Sequence, residues 1–326
     1  VHAVVLGHAG LALTSDVAKE VVRATSEDHS YLEVLSLSGA FLLQDEDISS
    51  MVSTNASTLM SLTLTSCPTM ASSTCSELSS LTNLSELSLQ HCPLSRDQLN
   101  SISWGAISGL RSLDLSHSAH LEDSVVKTIT SSALNPLPIS HLNLSKTKIT
   151  DESLSLIRSS FGGTLGSLEL DDCHLLTKAG LLVFFTPDSS LGPTVRLRRA
   201  VLSNLGPAVD DDVASAAFKT ADVRGAGDGL THVSVRGTKV SDRSMEALAA
   251  HGRSSLALLD VSFCHGISNA GLGYLCEQAG PRFKKLKVWG MNRLTDEGFY
   301  LCHGREDFEI EGVWMKPGEL VKKMKQ

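Results

Sequence analysis

A recurring spacing of apolar residues constrains this chain more than any other feature of its sequence. In the segment LGSLELDDCHLLTKAGL, Leu165, Leu168 and Leu170 stand at i, i+3 and i+5, and Cys173 follows three residues later. The last two leucines alternate as they do along a short strand, and the cysteine follows where the chain turns. The segment then continues into Leu-Thr-x-x-Gly-Leu, which is typical of a helix start. We therefore expect Cys173 to point inward.

The same spacing returns from one end of the chain to the other. Eleven segments fit it, and their first residues are Val1, Leu32, Leu59, Leu84, Leu110, Ile139, Leu165, Leu197, Leu230, Leu256 and Phe283. Their mean separation of about 28 residues lies within the range of a leucine-rich repeat. Such repeats stack on one another. The sequence therefore predicts a curved, right-handed α/β solenoid with a parallel sheet on its concave face and helices on its convex face.

Length and composition agree with a repeat array. Stacked repeats form one elongated domain, so we expect a single domain over residues 1–326, with about eleven repeats. Hydrophobic residues make up 42% of the chain and aromatic residues only 5%, which suits thin layers of aliphatic side chains. The chain opens inside a repeat, which predicts that it is truncated at its N-terminus. Residues 304–326 include an amphipathic segment and are predicted to cap the last layer.

Four of the seven cysteines occupy the same slot of the repeat, namely Cys67, Cys92, Cys173 and Cys264. We predict that these four are buried, reduced and structural. Cys75, Cys276 and Cys302 fall in the helical halves of repeats, and the odd total predicts reduced thiols in an intracellular compartment, the cytoplasm or the nucleus. Each Cys-His doublet places its two side chains on opposite sides of a strand end, so we predict no metal site.

The sequence offers no catalytic or cofactor motif. It contains no Gly-x-Ser-x-Gly, no Walker loop, no His-Glu-x-x-His and no Cys-x-x-Cys. It also lacks an apolar run of membrane length. The net charge of −8 differs from the basic character typical of nucleic-acid-binding domains. We therefore expect a protein that is not an enzyme, needs no cofactor and does not contact a membrane.

The residues that flank the inward leucines change in character along the array. The early repeats present small polar side chains, and we interpret these as a solvated face. The middle repeats present a predicted acidic patch of Asp114, Glu169, Asp171 and Asp172. The last repeats present a basic band with two aromatic residues, made of Arg199, His232, Arg236, Phe263, Lys285, Lys287 and Trp289. Since Trp and Arg are enriched at binding hot spots, we predict that a partner binds this band, and its charge favours an acidic peptide or a phosphate group.

The form L-x-x-L-x-L-x-x-C followed by a helix start, in LGSLELDDCHLLTKAGL and LALLDVSFCHGISNAGL, resembles the cysteine-containing leucine-rich repeats of F-box proteins and their relatives. In that family the repeats recognise a substrate protein, and an F-box docks to a cullin ubiquitin ligase. The resemblance implies a non-catalytic substrate receptor of an SCF-type ligase. It would bind a protein or peptide on the concave face and a ligase adaptor through a missing N-terminal segment.

A second resemblance is confined to the C-terminal part of the chain. The segment KLKVWGMNRLTDEGF, with the closing FEIEG, is similar to the last repeat of leucine-rich-repeat proteins of fungal nucleotide excision repair. It implies an alternative function, DNA-damage recognition beside a ubiquitin ligase, and nucleic acid is a partner only in this alternative. A structural scaffold is the third interpretation.

Overall fold

Each repeat begins with a short strand and most then cross to a helix. The computed structural model describes residues 3–6, 13–27, 31–131, 137–187, 195–221, 229–252, 254–295 and 308–312. The chain divides into two compact units, Val1–Thr164 and Leu165–Gln326, which we call unit 1 and unit 2 and describe separately.

Unit 1 alternates strands and helices along its length. Its described strands are β1 (Ala3–Leu6), β2 (Val34–Ser38), β3 (Ser61–Thr65), β4 (Glu86–Ser88), β5 (Ser112–Asp114) and β6 (His141–Asn143). Its described helices are α1 (Ser15–Glu27), α2 (Asp45–Thr54), α3 (Ser72–Leu78), α4 (Arg96–Ser101), α5 (Asp123–Thr130) and α6 (Asp151–Phe161), with a 3₁₀ turn at Trp104–Ala106. Each strand pairs in parallel with the next strand along the chain, from β1 to β6.

Unit 2 follows the same plan with one addition. Its elements are β7 (Ser167–Glu169), α7 (Lys178–Phe185), β8 (Arg199–Val201), β9 (Gly206–Asp210), α8 (Asp211–Ala221), β10 (His232–Ser234), β11 (Thr238–Lys239), α9 (Asp242–Gly252), β12 (Leu258–Asp260), α10 (Asn269–Gln278), β13 (Lys285–Lys287) and β14 (Glu309–Glu311). Strands β7, β8, β10, β12, β13 and β14 pair in parallel in that order. The addition is a parallel two-stranded sheet of β9 and β11.

The eleven predicted repeat starts each lead into a strand, and the prediction of an α/β leucine-rich-repeat solenoid is confirmed. Strand β14 adds a further strand that the spacing did not predict. Glu309–Glu311 pairs with Lys285–Lys287, and the Phe308 ring contacts the Phe283 ring with centroids 4.9 Å apart. The rest of the cap predicted at 304–326 lies outside the described residues.

A residue with a left-handed backbone conformation follows ten of the strands. It stands directly before the cysteine slot, and the residues are Gly39, Ser66, His91, His117, Lys146, Asp172, Asn204, Gly237, Phe263 and Gly290, with φ between 53° and 67°. This conformation turns the chain away from the sheet and lets the next residue point inward. Side chains at this position project from the edge of the sheet, since the buried slot follows immediately.

The cysteine slot joins neighbouring repeats. Cys67, Cys92, Cys173 and Cys264 are buried free thiols, which confirms the prediction for these four. The Cys264 thiol donates to the Val235 carbonyl of the preceding repeat at 3.0 Å, and the Cys92 thiol donates to the Leu64 carbonyl at 3.3 Å.

Among the remaining cysteines, the prediction of reduced thiols holds only in part. Cys75 is a buried free thiol, and burial together with the charge of Asp45 raises its pKa to about 11. Cys276 is disulfide-bonded, so the prediction was wrong at this residue. The odd number of cysteines indicated at least one free thiol and did not exclude a pair among the others. Cys302 lies outside the described residues.

The first residue of several helices binds the start of the next helix along the array. The carboxylate of Asp123, at the start of α5, accepts hydrogen bonds from the Thr150 amide at 2.9 Å and the Thr150 hydroxyl at 2.7 Å. Asp211 accepts the corresponding bonds from Ser241 at 2.8 and 2.6 Å. Asp45, Asp242 and Asn269 make equivalent contacts with the next repeat. The hydroxyls of Thr150, Ser241 and Ser268 also accept hydrogen bonds from the amides of Glu152, Arg243 and Ala270, so these residues cap their own helices as well as binding the preceding repeat.

The cysteine slot is expected to tolerate a small neutral side chain but not a charged one. Replacing Cys264 with Asp would bury a carboxylate without a charged partner, and we expect a loss of about 3–5 kcal/mol in the free energy of unfolding, measured by urea denaturation. Cys264→Thr is the matched control, since Thr147 and Thr238 already occupy this slot in other repeats and donate to nearby carbonyls. Equal destabilisation by the two variants would contradict a buried, uncharged slot.

The bonds between repeats predict a loss of stability in acid. Burial acts to raise the pKa of Asp123, but hydrogen bonds from Ser153 and Thr150 outweigh it and hold the pKa below its ordinary value of 3.8. The carboxylate therefore stabilises the fold above that pH and loses this contribution as the pH falls through the lowered pKa. We expect Asp123→Asn to cost about 1–3 kcal/mol at neutral pH, with a smaller difference from the wild type near pH 3, by urea denaturation at each pH.

Asp97→Asn serves as the control, because Asp97 lies in the first turn of α4 with its side chain 93% exposed. A difference between wild type and Asp123→Asn that stays constant from neutral to acid pH would contradict the role of the charged carboxylate.

Candidate partner-binding surface

The outward face of the sheet in unit 2 is made by the residues on either side of one buried position in each strand. The central residues Ala200, Val233, Leu259 and Leu286 are at most 2% exposed. Because successive strand residues point to opposite faces, the residues before and after them face outward. The strands are in register, so these outward residues form two rows across the unit.

The first row contains three of the predicted site residues, Arg199, His232 and Lys285. Arg199, His232, Leu258, Lys285 and Glu309 are neighbours in register across β8, β10, β12, β13 and β14. The second row consists of Val201, Ser234, Asp260, Lys287 and Glu311. Lys285 and Lys287 belong to the predicted basic band, whereas Glu309 and Glu311 were not part of that prediction.

Strand β14 neutralises the lysines. The Lys285 ammonium lies 3.2 Å from Glu309 Oε1 and also pairs with Glu311, and the Lys287 ammonium lies 3.2 Å from Glu311 Oε2. The hydrogen bond from Lys285 is the main cause that lowers the pKa of Glu311, which keeps the carboxylate charged. The predicted basic band therefore differs from the observed charge distribution, since two of its cations are paired.

The other end of the first row is paired in the same way. Arg199 Nε donates to Glu169 Oε1 at 2.8 Å, so a residue of the predicted acidic patch meets a residue of the basic band. Burial, and then the charge of Arg199, lower the pKa of His232 below 6.5. His232 is therefore mostly neutral near pH 7 and adds little positive charge to this face.

Three of the predicted site residues form a separate group at the edge of the sheet, and we call Arg236, Phe263 and Trp289 the edge ridge. The Arg236 guanidinium carbon lies 4.8 Å from the centroid of the Phe263 ring. Phe263 is 41% exposed and Trp289 is 51% exposed. Cations over aromatic faces are attracted by the ring quadrupole, so the ring orients the guanidinium.

The backbone under the edge ridge is closely held. The Trp289 amide donates to the Ser262 hydroxyl at 3.1 Å, and its carbonyl accepts from the Phe263 amide at 2.7 Å. A Cβ atom at Gly290 would lie 2.4 Å from the Phe263 ring, and one at Gly312 would lie 2.5 Å from the Trp289 nitrogen. Both glycines have positive φ. They permit a close approach that a side chain would block.

The residues of the predicted acidic patch belong to both units. Asp114 belongs to unit 1, where its carboxylate accepts from the Ser116 amide at 2.9 Å and the Asn143 amide group at 3.1 Å. Asp171 and Asp172 belong to unit 2. Burial raises the pKa of Asp171, although the Ser203 amide donates to it at 3.1 Å. Asp172 lies 3.8 Å from the His174 ring nitrogen Nε2.

The Cys-His doublets are arranged as predicted where the structure describes them. Cys173 and Cys264 are buried, whereas the His174 side chain is 72% exposed and His265 faces Asn292 with Nδ1 3.2 Å from Oδ1. The doublet Cys302-His303 lies outside the described residues. No group of three or more potential metal ligands is found among the residues that were placed.

None of the described helices is long and apolar enough to cross a lipid bilayer.

Comparison with known proteins bears on the fold. The family described as a leucine-rich repeat matches residues 138–157. No curated protein matches the chain. A solved yeast structure, a complex of Rad7 and Elc1, is similar with a TM-score of 0.57 and 17% identity, over 93% of this chain and 88% of that one. An internalin of Listeria monocytogenes matches with a TM-score of 0.48 and 16% identity, over 95% and 93% of the two chains. The order of strands and helices, the family match and the similarity to the Rad7 structure give this chain the fold of a leucine-rich-repeat solenoid.

Proposed function

We propose that this chain is a non-catalytic recognition module that binds a segment of a substrate protein on the edge ridge and presents it to a cullin-type ubiquitin ligase. The edge ridge carries this proposal, because two exposed aromatic side chains and a stacked arginine project there from a tightly held backbone. Trp and Arg on pre-organised surfaces supply most of the energy in many interfaces. Two of the four remaining predicted contacts, Lys285 and Lys287, border this site and are paired with Glu309 and Glu311.

Two observations support the ligase context. The cysteine-bearing repeats resemble those of F-box substrate receptors, in which the strand face binds the substrate. The yeast structure of similar fold is a complex of Rad7 and Elc1, which supports a protein partner for this chain. We propose that the ligase adaptor binds a segment of this chain outside the edge ridge. A ligase receptor of this type acts in the cytoplasm or the nucleus.

DNA-damage recognition is the second candidate function, and the similarity of KLKVWGMNRLTDEGF to fungal repair proteins favours it. The charges of unit 2 oppose a DNA-binding role for this surface. Lys285 and Lys287 are paired with Glu309 and Glu311, and Arg199 is paired with Glu169. Affinity for duplex DNA depends mainly on cations that contact phosphates, and paired lysines must first give up their carboxylate partners.

The ligase proposal is tested by co-purification with the tagged chain. We expect cullin subunits and a ubiquitinated protein to co-purify with the wild type. Trp289→Ala should lose the ubiquitinated protein but keep the cullin, because about 2 kcal/mol of hot-spot energy corresponds to roughly a thirtyfold loss of affinity.

Tyr274→Ala is the matched control, since Tyr274 is an aromatic residue of α10 with 44% exposure on the helical side of the same unit. Absence of any cullin subunit would leave a scaffold as the better interpretation. If Tyr274→Ala lost the substrate and Trp289→Ala retained it, the substrate would bind the helical side of unit 2 and not the edge ridge.

The repair alternative is tested by fluorescence anisotropy with duplex DNA. We expect little binding, and no strong dependence on salt between about 50 and 200 mM. Lys287→Glu is the informative variant, because it reverses the charge of one of the two lysines on this face. Binding that falls by about a thousandfold over this salt range and is lost in Lys287→Glu would favour DNA recognition.

A further inference from the structure

The edge ridge contains a guanidinium whose hydrogen-bonding edge is open. The Arg236 side chain is exposed, and one face of its guanidinium lies against the Phe263 ring. Among the residues placed by the structure, no carboxylate lies within 4 Å of Arg236, and no side chain accepts its hydrogen bonds. Its N–H groups therefore remain available in a fork that matches a carboxylate.

The surroundings of Arg236 limit how much negative charge a ligand can carry. Asp260, Glu309 and Glu311 lie in the rows that border the edge ridge, and the two glutamates already occupy Lys285 and Lys287. A ligand with one carboxylate meets one unpaired cation at Arg236. A ligand with several carboxylates would be repelled by Asp260, Glu309 and Glu311, and Lys285 and Lys287 are already paired.

The apolar part of the edge ridge lies at a defined distance from Arg236. Arg236, Phe263 and Trp289 come from three consecutive repeats, so two strand spacings of about 4.8 Å separate the first from the last. This span of roughly 10 Å equals about three residues of an extended peptide. An acidic side chain at Arg236 would thus place a side chain two or three residues away against Trp289.

We infer that the edge ridge binds an extended peptide segment in which a single Asp or Glu stands two or three residues from a large apolar side chain. Arg236 holds the carboxylate, and Phe263 and Trp289 contact the apolar side chain. Glu309 and Glu311 act as specificity-determining residues, because they keep Lys285 and Lys287 from attracting polyacidic or phosphorylated segments. This inference rests on the proposed function in that it names the chemistry of the substrate segment.

The test uses capped synthetic peptides and fluorescence anisotropy with the full chain. One set carries a single Glu and a single Phe separated by one to four positions, a second set has Gln in place of Glu, and a third probe is polyglutamate. We expect the best binder to have two or three residues of separation, about tenfold weaker binding of its Gln counterpart, and weaker binding of polyglutamate.

Variants of the chain assign this discrimination to residues. Arg236→Gln should bind the Glu and Gln peptides equally, and Arg236→Lys should retain only part of the difference because it loses the fork. The double variant Glu309→Gln/Glu311→Gln should gain about tenfold or more for polyglutamate by releasing two lysines. Unchanged urea midpoints for these variants show that they remain folded.

Several outcomes would overturn the inference. These are an absence of binding by all peptides, equal binding of Glu and Gln peptides to the wild type, or a preference of the wild type for polyglutamate. The ligase proposal fails separately. Peptide discrimination without any co-purified cullin would contradict the ligase role alone, whereas a co-purified cullin with no peptide discrimination would contradict this inference alone.

Discussion

Hydrogen bonds between neighbouring repeats hold this structure together, because a strand of three residues cannot satisfy its main chain alone. The ladder of parallel strands supplies one set of these bonds. The slot thiol of Cys264 supplies a second by donating to the Val235 carbonyl of the preceding repeat, and Asp123 supplies a third by binding the start of the next helix. All three use polar groups that an isolated repeat would leave unpaired, so each repeat depends on its neighbours for stability.

This dependence leaves the outward face comparatively unconstrained. The central residue of a strand must be apolar and fit its layer, but the residues on either side need only suit their lateral neighbours. In unit 2 several of these side chains pair with an opposite charge on the next strand, as in Glu169 with Arg199 and Lys285 with Glu309. Pairing along the rows removes most of the charge contrast that the composition of single repeats suggests. The edge ridge is the exception, since Arg236 contacts an aromatic ring.

The edge ridge also shows how a recurring turn produces a local site. The left-handed position before the cysteine slot carries residues as different as Asp172, Asn204 and Phe263, because its side chain projects away from the core. Phe263 at this position lies beside Gly290, which leaves room for the ring, and beneath Arg236 of the preceding repeat. One fold can therefore carry many binding surfaces, and function has to be inferred from the particular side chains.

The sequence alone determined the repeat and its inward layer. The spacing of Leu165, Leu168, Leu170 and Cys173 predicted strand, turn and buried thiol, because these features depend on residues a few positions apart. It also identified Phe263 and Trp289 as outward aromatics.

The tertiary structure decided which side chains meet across repeats. The disulfide of Cys276, the addition of β14, the pairing of Lys285 with Glu309 and the stacking of Arg236 on Phe263 were all beyond the pattern. Partners such as Lys285 and Glu309 or Arg236 and Phe263 are separated by about one repeat, and the stacking of repeats brings them into contact. Local periodicity thus defines each layer, whereas charge and contact at the surface depend on how the layers align.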